Sequence, residues 1–237
     1  MKNAIITVLI GLIGLTAHTQ KIIEKTIDYK KRTILLDVKF ASEIVVKTWD
    51  SPTVYFKADI TTKDEKYLDL YQLDIDESDS NIKITSDAEP MFRSIWKDKN
   101  QNGSGGERHN FSSDDDYTFN YTLYVPKNAS FKISSINGNL KSEIIEGDFT
   151  ADLINGDIDI EKYSGDLGLS TINGEIDLKI HNATLIAETI HGSIYADKGL
   201  SFKSEKRHVG QKIEGSFEDA SSQLRLNTIN GNLYLRL

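Results

Sequence analysis

The chain has 237 residues, a formal net charge of −8 and no cysteine. Lack of cysteine excludes disulfides, thiolate metal sites, a thiol nucleophile and the lipobox cysteine of a lipoprotein. An acidic chain with no basic cluster is a poor match to nucleic acid or anionic lipid, and the length suits one elongated domain.

Residues 1–19 read as a signal peptide. Lys2 gives a positive start, Ile5 to Leu15 form an apolar run, and cleavage is expected near Ala17-His18-Thr19. The run is short for a membrane span, no later segment is long or apolar enough for one, and the alternative is a retained anchor. The chain is therefore expected to be exported to the periplasm or the cell surface, without a lipid tether. Residues 20–237 read as a single domain. Thr33 to Phe40, Glu43 to Trp49 and Thr53 to Ile60 are rich in Ile, Val and aromatics, and Asp50-Ser51-Pro52 punctuates them. Tyr67 to Asp76 alternates as a strand would, and Asn81 to Thr85 is another short strand. Residues 87–116 break the pattern, with polar, glycine-rich Asn100 to Gly106 and acidic Ser112 to Asp116. A mobile excursion is expected there, with Met91, Phe92, Ile95 and Trp96 forming one amphipathic turn. Strands resume at Tyr117 to Val125, and Pro126-Lys127-Asn128 turns the chain into its repeats.

The repeats keep a nine-residue beat. Glycine recurs at Gly138, Gly147, Gly156, Gly165 and Gly174, Ala183 takes the next place, and Gly192 follows. Two residues past each of these stands a large apolar residue, from Leu140 and Phe149 to Leu185 and Ile194. Alternate corners read Ile-Asn-Gly at Ile136, Ile154 and Ile172, continue as Ile190-His191-Gly192, and return at Ile229-Asn230-Gly231. The unit is thus a coil of roughly 18 residues made of two nines with unlike corners. Two-residue hairpins would set Ile154 opposite Asp157 and Ile172 opposite Glu175, mixing core and solvent on one face. Corners that bend one strand into the next wall avoid this. They place Asn137, Asn155 and Asn173 in a ladder, with glycine easing each bend. The expected fold is all-β, a β-solenoid. A second interruption is expected at 198–212, before Lys212 to Phe217 and Leu224 to Leu237 restore the beat.

The order of these elements resembles the bacterial putative-adhesin β-strand-repeat family, common in Bacteroidetes and Firmicutes. The resemblance rests on the leader, Val46-Lys47-Thr48-Trp49-Asp50 and Tyr121-Thr122-Leu123-Tyr124-Val125-Pro126. It continues through the Asn-Gly repeats, Lys212-Ile213-Glu214-Gly215 and the close Leu226-Asn227-Thr228-Ile229-Asn230-Gly231-Asn232-Leu233. It implies a right-handed parallel β-solenoid in the envelope and no catalytic residues, since none are established for that family.

Chemistry is sparse. No nucleophile motif, phosphate loop or metal signature is present. A calcium β-roll needs two glycines and an aspartate per nonapeptide, and here most units have one glycine. Stacking places Asp157 beside Glu175 and Asp159 beside Asp177, about 4.8 Å apart. These four acids could hold a divalent cation; a solvated acidic face, eased by Lys141 and Lys179, is the expectation. His181 takes an inward position and is expected to be buried and neutral, while His191 continues the Asn ladder. Trp49, Tyr55 and Phe56 are expected in the core, with a sugar-stacking surface as the alternative. The reading is a non-catalytic envelope protein with no cofactor and no metal, binding an envelope protein or a glycan. The alternative is a glycan-active β-helix enzyme of the polysaccharide lyase or hydrolase type. The strand before Leu237 is expected to be an open edge, protected by 198–212 or by Arg225 and Arg236, or else pairing with a second copy.

Overall fold

The computed structural model describes residues 19–102, 117–200, 202–206 and 209–237. The expected leader lies outside these residues except for Thr19, as does the acidic stretch Ser112 to Asp116. The strands, in chain order, begin with β1 (Thr19–Asp28), β2 (Thr33–Val38), β3 (Phe40–Trp49), β4 (Thr53–Thr62), β5 (Gln72–Glu77), β6 (Asn81–Asp87) and β7 (Tyr117–Pro126). The repeats form β8 (Ala129–Ser142), β9 (Ile145–Asn155), β10 (Ile158–Ile160), β11 (Tyr163–Ser164), β12 (Leu167–Asn173), β13 (Ile176–Lys179), β14 (Ala183–Thr189) and β15 (Ile194–Ala196). Then come β16 (Lys203–Lys206), β17 (Gln211–Ser216), β18 (Ser222–Thr228) and β19 (Leu233–Arg236).

Pairing sorts these strands into two rows, apart from the short β11, which pairs with the start of β9. One runs β5-β6-β2-β8-β9-β12-β18-β14-β17-β16. The other runs β1-β4-β7-β3-β8-β10-β13-β19-β15. β8 is long enough to serve both, pairing through Phe131 to Ser134 in the first row and through Asn139 to Ser142 in the second. Strict alternation sends one side chain in two inward, as in β4, where Val54, Phe56, Ala58 and Ile60 are buried. The inward faces of both rows meet in one hydrophobic core.

The sheet is mixed, which corrects the expectation of a right-handed, parallel β-solenoid. Pairs in the middle of each row are parallel, whereas β1–β4, β4–β7, β5–β6, β14–β17 and β16–β17 are antiparallel. The physical reason at the N-terminal side is the lack of glycine corners. Residues 20–102 contain no glycine, so the chain reverses there through turns such as Ser78–Asn81. Two further expectations are corrected in this segment. Glu65–Leu70 is a 3-10 helix, capped by the Asp64 side chain on the Lys66 amide, so only the end of the Tyr67 to Asp76 segment is strand. Residues 89–102 form a helix, α1 (Glu89–Asn102), in place of a single turn. The interruption at 198–212 likewise contains β16 and the start of β17.

Between the antiparallel ends an 18-residue parallel register holds. Leu140, Ile158 and Ile176 are aligned and fully buried. The Asn-Gly corners are not hairpins, since β9 and β10 pair with other strands and not with each other. Each alternate corner packs glycine against glycine. A Cβ on Gly174 would stand 2.0 Å from the Gly156 carbonyl oxygen, and one on Gly231 would stand 1.8 Å from that of Gly174. Buried threonines complete the corner, with the hydroxyls of Thr171, Thr228 and Thr189 donating to the carbonyls of Gly156, Gly174 and Gly231 at 2.9 Å.

Outside the corner runs the amide ladder. Asn155 Nδ2 donates to Asn137 Oδ1 at 3.0 Å, Asn173 to Asn155 at 2.8 Å, and Asn230 to Asn173 at 2.7 Å. Asn155→Ala removes two of these bonds at an exposed site. It should lower stability by about 1–2 kcal/mol, read from urea melts; no loss would show that the ladder contributes nothing. The isoleucine before each Asn points out, since alternation through Phe149, Ala151 and Leu153 turns the next residue to solvent. Ile154, Ile172 and Ile190 are accordingly 39%, 38% and 44% exposed.

The last coil does not form an edge. β18 lies between β12 and β14, and β19 lies between β13 and β15. Asn230 thus takes the ladder position after Asn173 that His191 was expected to hold. This overturns the expected open edge before Leu237 and removes the basis for pairing a second copy there. Among the described residues the edge strands at this end are β15 and β16. Lys203 in β16 is exposed, and its charge opposes further pairing.

α1 covers the aromatic end of the core. Met91 and Ile95 are buried, Phe92 meets Phe40 edge-on at 4.7 Å and Tyr117 at 5.0 Å, and Asp98 accepts from Tyr67 and pairs with Lys66. Trp96 remains exposed. Beneath, buried Tyr71 donates to the Tyr121 hydroxyl at 3.2 Å. Burial pushes both phenols above the ordinary tyrosine value. A raised folded pKa means stability is complete below the unfolded value near 10 and is lost as pH rises past it. Tyrosinate absorbance should therefore show Tyr71 and Tyr121 ionising together with alkaline unfolding; ionisation in the still folded protein would contradict their burial.

Candidate functional site

The outward face of the second row carries a ladder set by register: Val45, Lys141, Asp159, Asp177, Tyr234 and Tyr195. Two short aspartates stand between long Lys141 and Tyr234. They floor a groove of about 360 Å³ that Asn139, Asp157, Glu175 and Arg236 also line. At one end the Tyr195 and Tyr234 rings stack, with centroids 5.3 Å apart and planes 12° from parallel, and Tyr195 is half exposed.

The four acids singled out from sequence are all here, and the expected neighbours are neighbours: Asp159 is aligned with Asp177, and the Glu175 carbonyl accepts from Ile158 just beyond Asp157. Most of them are already engaged. Asp157 Oδ1 accepts the Glu175 amide at 2.8 Å, repeating the bond of Asn139 Oδ1 to the Asp157 amide at 2.9 Å. Glu175 Oε1 accepts from Asn232 Nδ2 at 2.8 Å and from the Tyr234 hydroxyl at 3.4 Å. Asp177 pairs with the Arg236 guanidinium. Lys141 is held above the ordinary lysine value chiefly by its hydrogen bond to Glu43 and further by the charge of Asp159. Among the described residues no group of three or more His, Cys, Asp or Glu side chains is placed to hold a metal ion. Glu175→Lys removes the acceptor that Asn232 and Tyr234 share.

Other expectations are redistributed. His181 is exposed, not buried; Tyr163 fills the inward place, its hydroxyl donating to the His181 carbonyl at 2.6 Å and its ring lying 4.6 Å from the imidazole. Phe56 is core, stacked on Tyr121. Trp49 and Tyr55 are not. They are half-buried on the outward face and cluster with Tyr124, 5.0 Å and 5.6 Å from its ring. The Lys47 ammonium lies 5.4 Å from the Tyr124 ring centroid. Sequence reasoning missed Tyr195, Tyr234 and Arg236 as site residues; their only signal was outward parity in the repeat.

No protein-family model matches the sequence, and no curated protein matches it. Among solved structures, a "putative cell adhesion protein" from Clostridium sporogenes ATCC 15579 superposes on 93% of this chain and 99% of its own, with a TM-score of 0.57 and 10% identity. The two proteins share a fold. A "putative adhesin" from Bacteroides fragilis NCTC 9343 matches 91% of this chain and 97% of its own, with a TM-score of 0.30 and 10% identity. Among the described residues no helix is long and apolar enough to cross a membrane.

Proposed function

We propose that this is an exported, non-catalytic binding protein of the cell envelope, adhesin-like in acting through its outward strand faces. Its partner is an envelope protein or a glycan. The groove between Lys141 and Tyr234 carries the reading. A hydrolase of the common type needs one carboxylic acid free to give a proton and a second carboxylate free to attack or activate water. Here Asp177 is committed to Arg236 and Glu175 to Asn232 and Tyr234, so two of the four acids are already engaged by side chains. Fixed charges, amides and a stacked tyrosine pair suit recognition. The export signal read at residues 1–19 and the name of the Clostridium fold neighbour support the same conclusion. The long parallel register of the repeats adds a stiff, coil-like scaffold that holds the face flat.

Fractionation of the producing bacterium with a specific antibody should place the protein in the periplasm or on the surface. Beads coated with residues 20–237 should attach to cell surfaces and release no fragments from a panel of polysaccharides. Cytosolic retention or cleavage of a polysaccharide would overturn the reading.

A further inference from the structure

One glycine is not explained by the fold. At each of the ten other described glycines an added Cβ would fall within 3.0 Å of another atom. At Gly168 the nearest atoms are Thr150 Oγ1 at 3.6 Å and Cγ2 at 3.9 Å, which is ordinary contact, and its φ lies outside the left-handed region. Gly168 sits inside β12, where glycine is less stable than alanine and often marks close approach by another molecule.

Its effect is to open a space. The outward ladder of the first row runs through Thr150, Gly168, Arg225 and Ile186. Without a side chain at 168, a groove of about 370 Å³ lies between Thr150 and Arg225. Asp148 and Asp166 border it. Each uses Oδ1 on the amide of the next strand, Asp166 at 3.3 Å and Gln223 at 2.7 Å, and keeps Oδ2 for a ligand. The Arg225 guanidinium has no hydrogen bond or ion pair to a described residue.

We infer that this groove is a carbohydrate-binding site that takes a neutral oligosaccharide, with one sugar ring over Gly168. Carboxylate acceptors, a guanidinium and the Gln223 amide surround a floor of glycine backbone, with Ile186 beyond Arg225, and this combination matches hydroxyls around a C–H face. Two aspartates against one arginine disfavour phosphate or sulfate esters. β12 is paired on both sides, so no backbone edge is free to add a peptide strand. The inference rests on the reading of the chain as a binding protein but concerns a different face from the Lys141–Tyr234 groove.

The test titrates cellohexaose, mannohexaose, laminarihexaose and N-acetylchitohexaose into the 15N-labelled protein. At least one should saturably shift the amide signals of Gly168 and Arg225. Gly168→Thr, which refills the floor with a good strand former, should weaken that binding at least tenfold. Gly168→Ala should weaken it less and raise the melting temperature by about 2 °C. The inference fails if no sugar moves these signals, if Gly168→Thr binds like the wild type, or if Gly168→Ala lowers the melting temperature. Bead attachment that survives Gly168→Thr without sugar binding would remove this site and leave the general function standing.

Discussion

Ile176→Asp is expected to unfold most of the protein at room temperature. Ile176 is fully buried and aligned between Ile158 and Leu233 in the middle of the parallel row. Removing its packing costs about 2–5 kcal/mol, and a carboxylate there meets only apolar neighbours, which adds several more. A loss of at least about 5 kcal/mol rivals the whole stability of a typical domain. Glu175→Lys, one residue away on the outward side, should cost only about 1 kcal/mol through the lost hydrogen bonds from Asn232 and Tyr234. Urea melts followed by circular dichroism separate the two. A near-wild-type melt for Ile176→Asp would show that the inward register is wrong.

Gly231→Ala is expected to destabilise by about 3 kcal/mol. The added methyl would stand 1.8 Å from the Gly174 carbonyl oxygen and 2.6 Å from its carbon. Both atoms are backbone, so relief requires two coils to move apart. That movement would stretch the Thr228 hydroxyl bond to Gly174 and the Asn230 bond to Asn173. Gly168→Ala, a chemically identical change on a neighbouring strand, should act in the opposite direction. If the two variants melt alike, close corner packing is not what requires glycine at 231.

Much of this architecture was legible in the sequence because the repeat is local. A nine-residue beat with Leu140, Ile158 and Ile176 at one phase dictates which side chains align, and they do. The Asn137-Asn155-Asn173 ladder follows from the same spacing. The four acids were placed together for this reason too. Their partners were not. Asn232 and Tyr234 reach Glu175 across 57 and 59 residues of sequence, and Arg236 reaches Asp177 from the same strand. Ile154 and Ile172 face outward because the alternation inside β9 and β12 carries that residue to solvent. The strand expected from Tyr67 failed for another reason. The Asp64 cap and the burial of Leu68 favour a 3-10 turn over an alternating pattern of equal hydrophobicity.

The sequence by itself determined that the chain is all-β, where its glycine corners lie and which residues share a face, since these depend on spacing along one segment. The order in which the coils stack was decided only in three dimensions. Each Ile-x-Gly coil offers the same edge of backbone donors and acceptors and the same glycine notch, so any one can sit beside any other. The structure seats the 229–231 corner between those at 172–174 and 190–192, and Tyr234 and Arg236 reach the acidic groove only by that arrangement. The antiparallel ends were likewise a tertiary outcome: a strand that turns back pairs with whichever row still has an open edge, as β1 does on β4 and β17 on β14.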